Sequence, residues 1–285
     1  MTTETWKFTL PVIAISLVIE SYHSLKENKS PYEKNDTICS IVLGVGGLLS
    51  GFFCKIAVLH LYVFVHHYKL CAVDNSWLTW MLAVVASDFS YYWFHRSAHE
   101  INWFWLSHAT HHSSVKFNLS TALRLPWTSQ LTGGPLFWIW MPFVGFDPAM
   151  VIVTSQLVHF YQFWIHTEAI KKLPIVIEYI FNTPSHHRVH HSSDLHYMDK
   201  NHGGILIVWD RIFGTFKKED RRLNYGLMGK PCNNNPVYVV FSSWHELIVK
   251  AINCGSFVNA FKYFVLPPGW SHDGTSKTVK QLLRE

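Results

Sequence analysis

The apolar residues of this chain are gathered into long blocks. Residues 38–65 run for 28 positions with one charge, Lys55, and residues 77–94 for 18 with one, Asp88. Residues 125–146 hold 22 positions without a charge, and residues 148–165 a further 18. About 20 apolar residues cross a bilayer as a helix, so each block predicts a spanning helix. Residues 8–19 form a shorter block between Lys7 and Glu20, fit for a short fifth span or an interfacial helix. No small-residue cleavage site follows it, which makes it a poor signal peptide. Beyond 166 the chain turns polar and mixed. One more apolar helix is expected near 237–252, and its His245, Glu246 and Lys250 put it at a surface or against the cap. The predicted fold is an all-α integral membrane protein with four to five transmembrane helices and a helical cap. Three units are expected: membrane segments over 1–76, a histidine-rich domain over 77–220, and a cytosolic or membrane-surface tail over 221–285.

Charge orients this arrangement. If the four long blocks each cross once, residues 20–37, 95–124 and everything beyond 166 share one side. If 8–19 crosses too, the opposite side holds only Lys7 and Lys69, and Lys55 lies within a span. The other 21 of the 24 Lys and Arg lie on the first side. Cationic loops stay in the cytosol, so the cap is predicted to be cytosolic. Charged residues are only 15% of the chain and its net charge is +5, with no dense basic block, which excludes a nucleic-acid footprint. Five scattered cysteines without a CxxC pair exclude a disulfide scaffold and a thiolate metal site.

The 19 histidines change the picture most. HRSAH at 95–99, HATHH at 108–112 and HHRVHH at 186–191 place His95 with His99, then His108, His111 and His112, then His187, His190 and His191, at helical i, i+3 and i+4 spacings. Each set shares a face, and neutral imidazole is the commonest metal ligand. Eight histidines are too many for one ion, so two metals are expected. His166 ends the last block on the same side and joins the candidate ligands. His159 lies two turns deeper, where a packing role is expected, and His186, His196 and His202 flank the third box. Asp88 lies seven residues before His95 on the same face, within a span. A bare carboxylate there needs a partner, and accepting the second N–H of a metal-bound histidine would supply one.

Several imidazoles around two metals, reached from lipid, suit oxygen activation on a lipid. Iron changes valence and zinc does not. Over residues 75–220 the boxes resemble those of the fatty acid hydroxylase/sterol desaturase superfamily of membrane di-iron enzymes. The chain is similar, more closely, to the alkylglycerol monooxygenase family. The shared runs are Tyr-Tyr-Trp-Phe-His-Arg at 91–96, Glu100 after the first box, Asn-Leu-Ser-Thr-Ala-Leu-Arg at 118–124 and Gln-Phe-Trp-Ile-His-Thr-Glu at 162–168. Asn-Thr-Pro-Ser-His-His-Arg-Val-His-His at 182–191, Trp-Asp-Arg-Ile-Phe-Gly-Thr-Phe at 209–216 and Pro-Gly-Trp at 268–270 complete the likeness.

The resemblance implies hydroxylation of the ether-linked carbon of 1-O-alkylglycerols or their lysophospholipids, giving a fatty aldehyde and glycerol. It implies two iron ions held by the eight box histidines, tetrahydrobiopterin as electron donor, and a pterin-recycling reductase as partner. It also implies a multi-pass protein of the endoplasmic reticulum membrane, its boxes facing the cytosol. Glu100 is then expected to accept two parallel hydrogen bonds from the pterin ring, with an i, i+4 ion pair to Arg96 as its alternative role. Arg124 and Arg188 are expected to hold a head group or to support the boxes. Family members are longer, chiefly beyond the region matching the end of this chain. His202, in Asp-Lys-Asn-His-Gly-Gly at 199–204, stands where the family tends to carry tyrosine, which argues against it as an essential ligand.

Two other readings remain. One is a sterol or fatty acyl hydroxylase or desaturase fed by NAD(P)H and a cytochrome b partner; the boxes alone admit it, while Glu100 and the 118–124 and 162–168 runs favour the ether lipid. The other is a metal transporter, whose histidines would sit mid-span or in low-complexity loops rather than on ordered helical spacings after the spans.

Overall fold

A computed structural model describes residues 6–26 and 32–285. Helix α1 runs Trp6–Lys26, α2 Lys34–His67, α3 Trp77–Glu100 and α4 Asn102–His108. Short 3-10 segments follow at His111–Ser113, Leu119–Leu123 and Gly134–Trp138. Then come α5 Trp140–Val144, α6 Pro148–Trp164, α7 Ile175–Ile180, α8 Pro184–His190 and α9 Val208–Ile212. The last three are α10 Pro236–Asn253, α11 Phe257–Val265 and α12 Val279–Leu282. Among the described residues there is no strand, only two isolated bridges, Phe181 with Leu206 and Ser192 with Tyr225.

The long helices begin on side-chain caps. Glu33 accepts from the Asn35 and Asp36 amides, Ser76 from Thr79, and Asp147 from Ala149 and Met150 with Pro148 in the first helical position. Each cap satisfies amides that have no partner inside the helix and contributes about 1 kcal/mol. At 34 residues, α2 is about 51 Å long. Ile41, Val45, Leu48, Phe52, Phe53 and Ile56 point out of the protein. It is the one described helix both long and apolar enough to cross a bilayer. Helix α3 is long enough but interrupted by polar groups, among them Asp88 and Arg96, and α6 has 17 residues.

The continuous helix expected over 125–146 does not form. Turns occupy 127–133, and the 3-10 segment and α5 follow. Pro126, Pro135 and Pro142 lack the amide a helix needs, and Gly133 sits at φ +84°, in the left-handed region. The segment still runs beside α2 from end to end. Arg124 at its start binds Asp36, while at its far end the Leu70 amide donates to Phe143 O at 2.9 Å and Cys71 to Val144 O at 3.3 Å. Helices α3 and α6 return along it through Ala83, Tyr91, Met150, Val151 and Val158. All these tracks deliver their histidine-bearing ends to one place.

Buried charges fix that end. Arg124 and Asp36 are both fully buried and 2.7 Å apart. Arg124 also donates to Ser40 and Ser113, and Ser114 donates to Asp36. Removing one partner of such a pair leaves an uncompensated charge, at about 3–5 kcal/mol. Glu20 ties α1 to the same region by accepting from the Leu119 amide, Thr167 and Tyr32. The expected helix near 237–252 is α10. Leu247 packs on Leu106, Cys254 and Tyr263, while Val237, Phe241, Ile248 and Ile252 remain exposed.

Candidate metal centre

The last turns of α3 carry His95 and His99. Helix α4 ends in His108, and the next turn brings His111 and His112. His166 follows α6, and α8 carries His187 and His190 with His191 just beyond it. These nine side chains form two groups. His95, His99, His108, His112 and His190 make one; His111, His166, His187 and His191 make the other. Within each, one donor atom per residue lies within 4.8 Å of all the others. The second and third boxes each split between the groups, which binds the two sites into one unit.

The ring orientations point to ligation. His95 Nδ1 faces the His202 carbonyl at 2.9 Å, His190 Nδ1 that of Lys200 at 2.9 Å, and His166 Nδ1 that of Gln162 at 2.6 Å. His99 Nδ1 faces the Asp199 carboxylate at 3.5 Å. A nitrogen facing an acceptor carries a ring proton, which directs Nε2 of these rings to the interior of the group. Yet the Nε2 atoms meet each other: His95 with His108 and His108 with His112 at 3.1 Å, His111 with His166 at 3.1 Å, and His166 with His187 at 2.9 Å. One proton on His108 cannot serve both of its contacts. With metal–nitrogen bonds of about 2.1 Å, two ligands at right angles lie about 3.0 Å apart. The Nε2 atoms of His99, His190 and His191 are buried and meet no protein partner, which costs about 1–3 kcal/mol each when nothing is bound. A cation in each group answers all of these features, so the donor set fits metal, and imidazole ligation suits iron. Burial, then the charges of neighbouring imidazoles, holds His108, His112, His187, His190 and His191 well below the ordinary imidazole range, and burial lowers His111 to about 4. The neutral ring is the form that binds metal.

Asp88 does not accept from a ligand histidine. Its carboxylate takes the Ile205 amide at 2.5 Å, the Leu206 amide at 3.0 Å and the Trp209 indole at 2.9 Å. The acceptors for the ligand rings come instead from the segment just before these donors. Asp199, Lys200 and His202 serve three of the five histidines of the first group. Asp199 and Asn201 hold φ of 55° and 57°, a left-handed backbone that Asp and Asn tolerate better than most residues. That Asp-Lys-Asn-His-Gly-Gly run was the available signal, and spacing arguments do not weigh backbone carbonyls.

The remaining candidates separate clearly. His159 bonds the Ser155 carbonyl and packs on Tyr91 and Trp138, away from both groups. His186 pairs with Glu178 at 3.1 Å, and His196 is exposed. Arg188 forks onto Glu219 with two 2.8 Å contacts and donates to the Thr167 and Ile170 carbonyls. Arg124 is thus engaged in the buried pair with Asp36, while Arg188 braces the third box and also lines the large cavity beside α1 and α6. Glu100 pairs with Arg96 at 3.2 Å and also lines a cavity of about 260 Å³ with His99, His112 and His190, where Trp105 and Trp270 supply aromatic walls. A second cavity, of about 1830 Å³, opens between α1, α6 and the cap. Val12, Ile19, Leu157 and Phe160 line it, with Lys171 and Arg222 at its polar part. Phe117 and Tyr225, stacked at 5.0 Å, also line this cavity, and Phe117 stacks on His166 at 5.6 Å.

The fatty acid hydroxylase family model matches residues 80–215, which include all nine histidines. Alkylglycerol monooxygenase of Homo sapiens is 38% identical over 270 residues, covering 92% of this chain and 58% of that protein. The Danio rerio alkylglycerol monooxygenase is 42% identical over 208 residues, 71% of this chain and 45% of its own. Ornithine lipid hydroxylase OlsE of Rhizobium tropici is 29% identical over 152 residues, 53% of this chain and 46% of its own. The chain thus spans about half the length of these curated relatives. No solved structure matches it. Residues 80–215 thus match the fatty acid hydroxylase family model, and the chain is similar over most of its length to the alkylglycerol monooxygenases.

Proposed function

We propose that this protein is a membrane di-iron monooxygenase that hydroxylates the ether-linked carbon of 1-O-alkylglycerols, with tetrahydrobiopterin as electron donor. The observation that carries the proposal is the pair of histidine groups whose facing Nε2 atoms lie 2.9–3.1 Å apart. His95, His99, His108, His112 and His190 would hold one iron and His111, His166, His187 and His191 the other. Bound iron would supply the oxidising power needed to split O₂ and attack an unactivated C–H bond. One oxygen atom enters the C–H bond and the other leaves as water, the two electrons and two protons for that water coming from the pterin as it is oxidised to its dihydro form. The resulting hemiacetal falls apart to glycerol and a fatty aldehyde.

The protein's part is position and exclusion of water. The cavity beside Glu100 is near the lower end of small-molecule pockets in size. It suits one bicyclic ring held between Trp105 and Trp270, with the Glu100 carboxylate accepting from its N–H edge. The apolar side of the larger cavity, along α1 and α6, suits the alkyl chain, with Phe117 and Tyr225 as the wall between chain and second histidine group. The ether oxygen weakens the C–H bonds next to it and so favours that carbon. Asp88 acts at one remove, by holding the 205–209 backbone. Four crossings by 38–65, 77–94, 125–146 and 148–165, a fifth if α1 spans, would set this site at the cytosolic face of the endoplasmic reticulum membrane. There a pterin-recycling reductase could reach it. The positive bias of 95–124 and of the chain beyond 166 supports that orientation. In this reading 1–76 supplies membrane segments, 77–220 the catalytic domain and 221–285 a surface tail.

Membranes containing the protein, given a 1-O-alkylglycerol, O₂ and tetrahydrobiopterin, are expected to release fatty aldehyde, and those with His108→Ala are not. Iron-loaded protein that releases none would contradict the substrate assignment and direct attention to sterols and acyl lipids with a reductase.

A further inference from the structure

His202 lies outside both histidine groups, since its nitrogens are not among the donor atoms within 4.8 Å of one another. Its surroundings are unusual nonetheless. The side chain is fully buried, and neither ring nitrogen makes a hydrogen bond. The Asp199 carbonyl approaches the ring without reaching hydrogen-bond geometry. The ring packs on His99, His190 and His95, with centroids 5.1, 5.6 and 5.7 Å away, and on Tyr92 at 6.3 Å. Three of its four ring neighbours therefore belong to the five-histidine group. A buried imidazole whose nitrogens have no protein hydrogen-bond partner is costly, and none of these neighbours supplies one.

The backbone that carries the ring is held on both sides. The His202 and Gly203 amides donate to the two oxygens of Asp210, both at 2.7 Å. Asn201 donates to the His186 and Lys217 carbonyls and accepts from the Lys217 amide. Asn182 holds the Gly203 carbonyl at 2.6 Å. The same backbone hands its His202 carbonyl to His95. The segment that aims the ligands thus also fixes this spare imidazole beside them.

Coordination counting supplies the missing partner. Five imidazoles leave one position open on a six-coordinate ion. We propose that His202 holds, through a ring nitrogen, the water or small anion that fills this position on the metal of the five-histidine group. It is a positioning residue there and not a direct ligand. The inference rests on the two-iron reading of the site.

The test uses the iron-loaded, oxidised protein with azide as the probe, read by the azide-to-iron absorption band and by iron per chain. His202→Phe keeps the ring and removes its nitrogens. It is expected to keep its iron and bind azide about 10-fold or more weakly, within the range seen when outer partners of metal sites are lost. His202→Gln, which keeps a donor, is expected to recover part of that loss. Unchanged azide affinity in His202→Phe overturns the proposal, and so does loss of iron, which would make His202 a direct ligand. If His202→Phe does not fold by its helicity and melting, His202→Leu makes the same comparison. Wild-type protein that holds no iron overturns the metal reading and this inference with it; iron-loaded wild type with indifferent variants overturns this inference alone.

Discussion

His108 shows at the residue scale why the boxes need metal. Its Nε2 meets two other Nε2 atoms at 3.1 Å, an arrangement that one proton cannot satisfy and one cation can. Buried imidazoles have a second consequence. In the folded chain burial holds these rings neutral, and His111 titrates near 4, whereas unfolded histidines titrate near 6.5. Below about 6.5 the unfolded chain takes up protons that the folded chain refuses, so stability is complete above that pH and is lost as pH falls towards 4. Metal-free protein in detergent should therefore melt at a clearly lower temperature at pH 5 than at pH 7; equal melting temperatures would contradict neutral burial of the rings. The box histidines were legible because i, i+3 and i+4 spacing is a local property. The division into five and four was not, because His111 and His112, adjacent in sequence, serve different groups.

At the scale of elements, the segment over 199–209 does what spacing along α3 suggested for Asp88. Asp88 sits on the same helical face as His95, but its partners are Ile205, Leu206 and Trp209, more than a hundred residues away. Helical spacing sees only neighbours on one helix, and long-range backbone donors leave no periodic mark. Asp88→Asn exchanges one acceptor oxygen for a donor that faces other donors. It should cost about 2 kcal/mol and loosen iron, measured by thermal unfolding and by iron retained after dialysis; wild-type values for both would contradict the role. Most of the helices over 34–67 and 77–100 was likewise visible in the apolar blocks 38–65 and 77–94. The irregular path of 125–146 was not, although Pro126, Gly133, Pro135 and Pro142 were its signals. An uncharged run states where a segment is comfortable, and prolines and glycines decide whether it is helical.

For the whole molecule, the arrangement has two approaches to one centre. A small aromatic-walled cavity touches His99, His112 and His190, and a large one, apolar along α1 and α6 and charged towards the cap, reaches Phe117 beside His166. If the small cavity takes the pterin, Glu100→Gln should raise the KM for tetrahydrobiopterin several-fold and leave that for the alkylglycerol near wild type, as read from aldehyde release. Equal changes in both constants would contradict that division of the cavities. The paired metal centre is best examined by counting iron in protein purified from iron-replete cells, beside a His190→Ala variant that removes a ligand of the five-histidine group alone. Two iron ions per chain are expected in the wild type and a loss confined to one ion in the variant. One ion per chain in the wild type, or zinc alone, would contradict the paired centre.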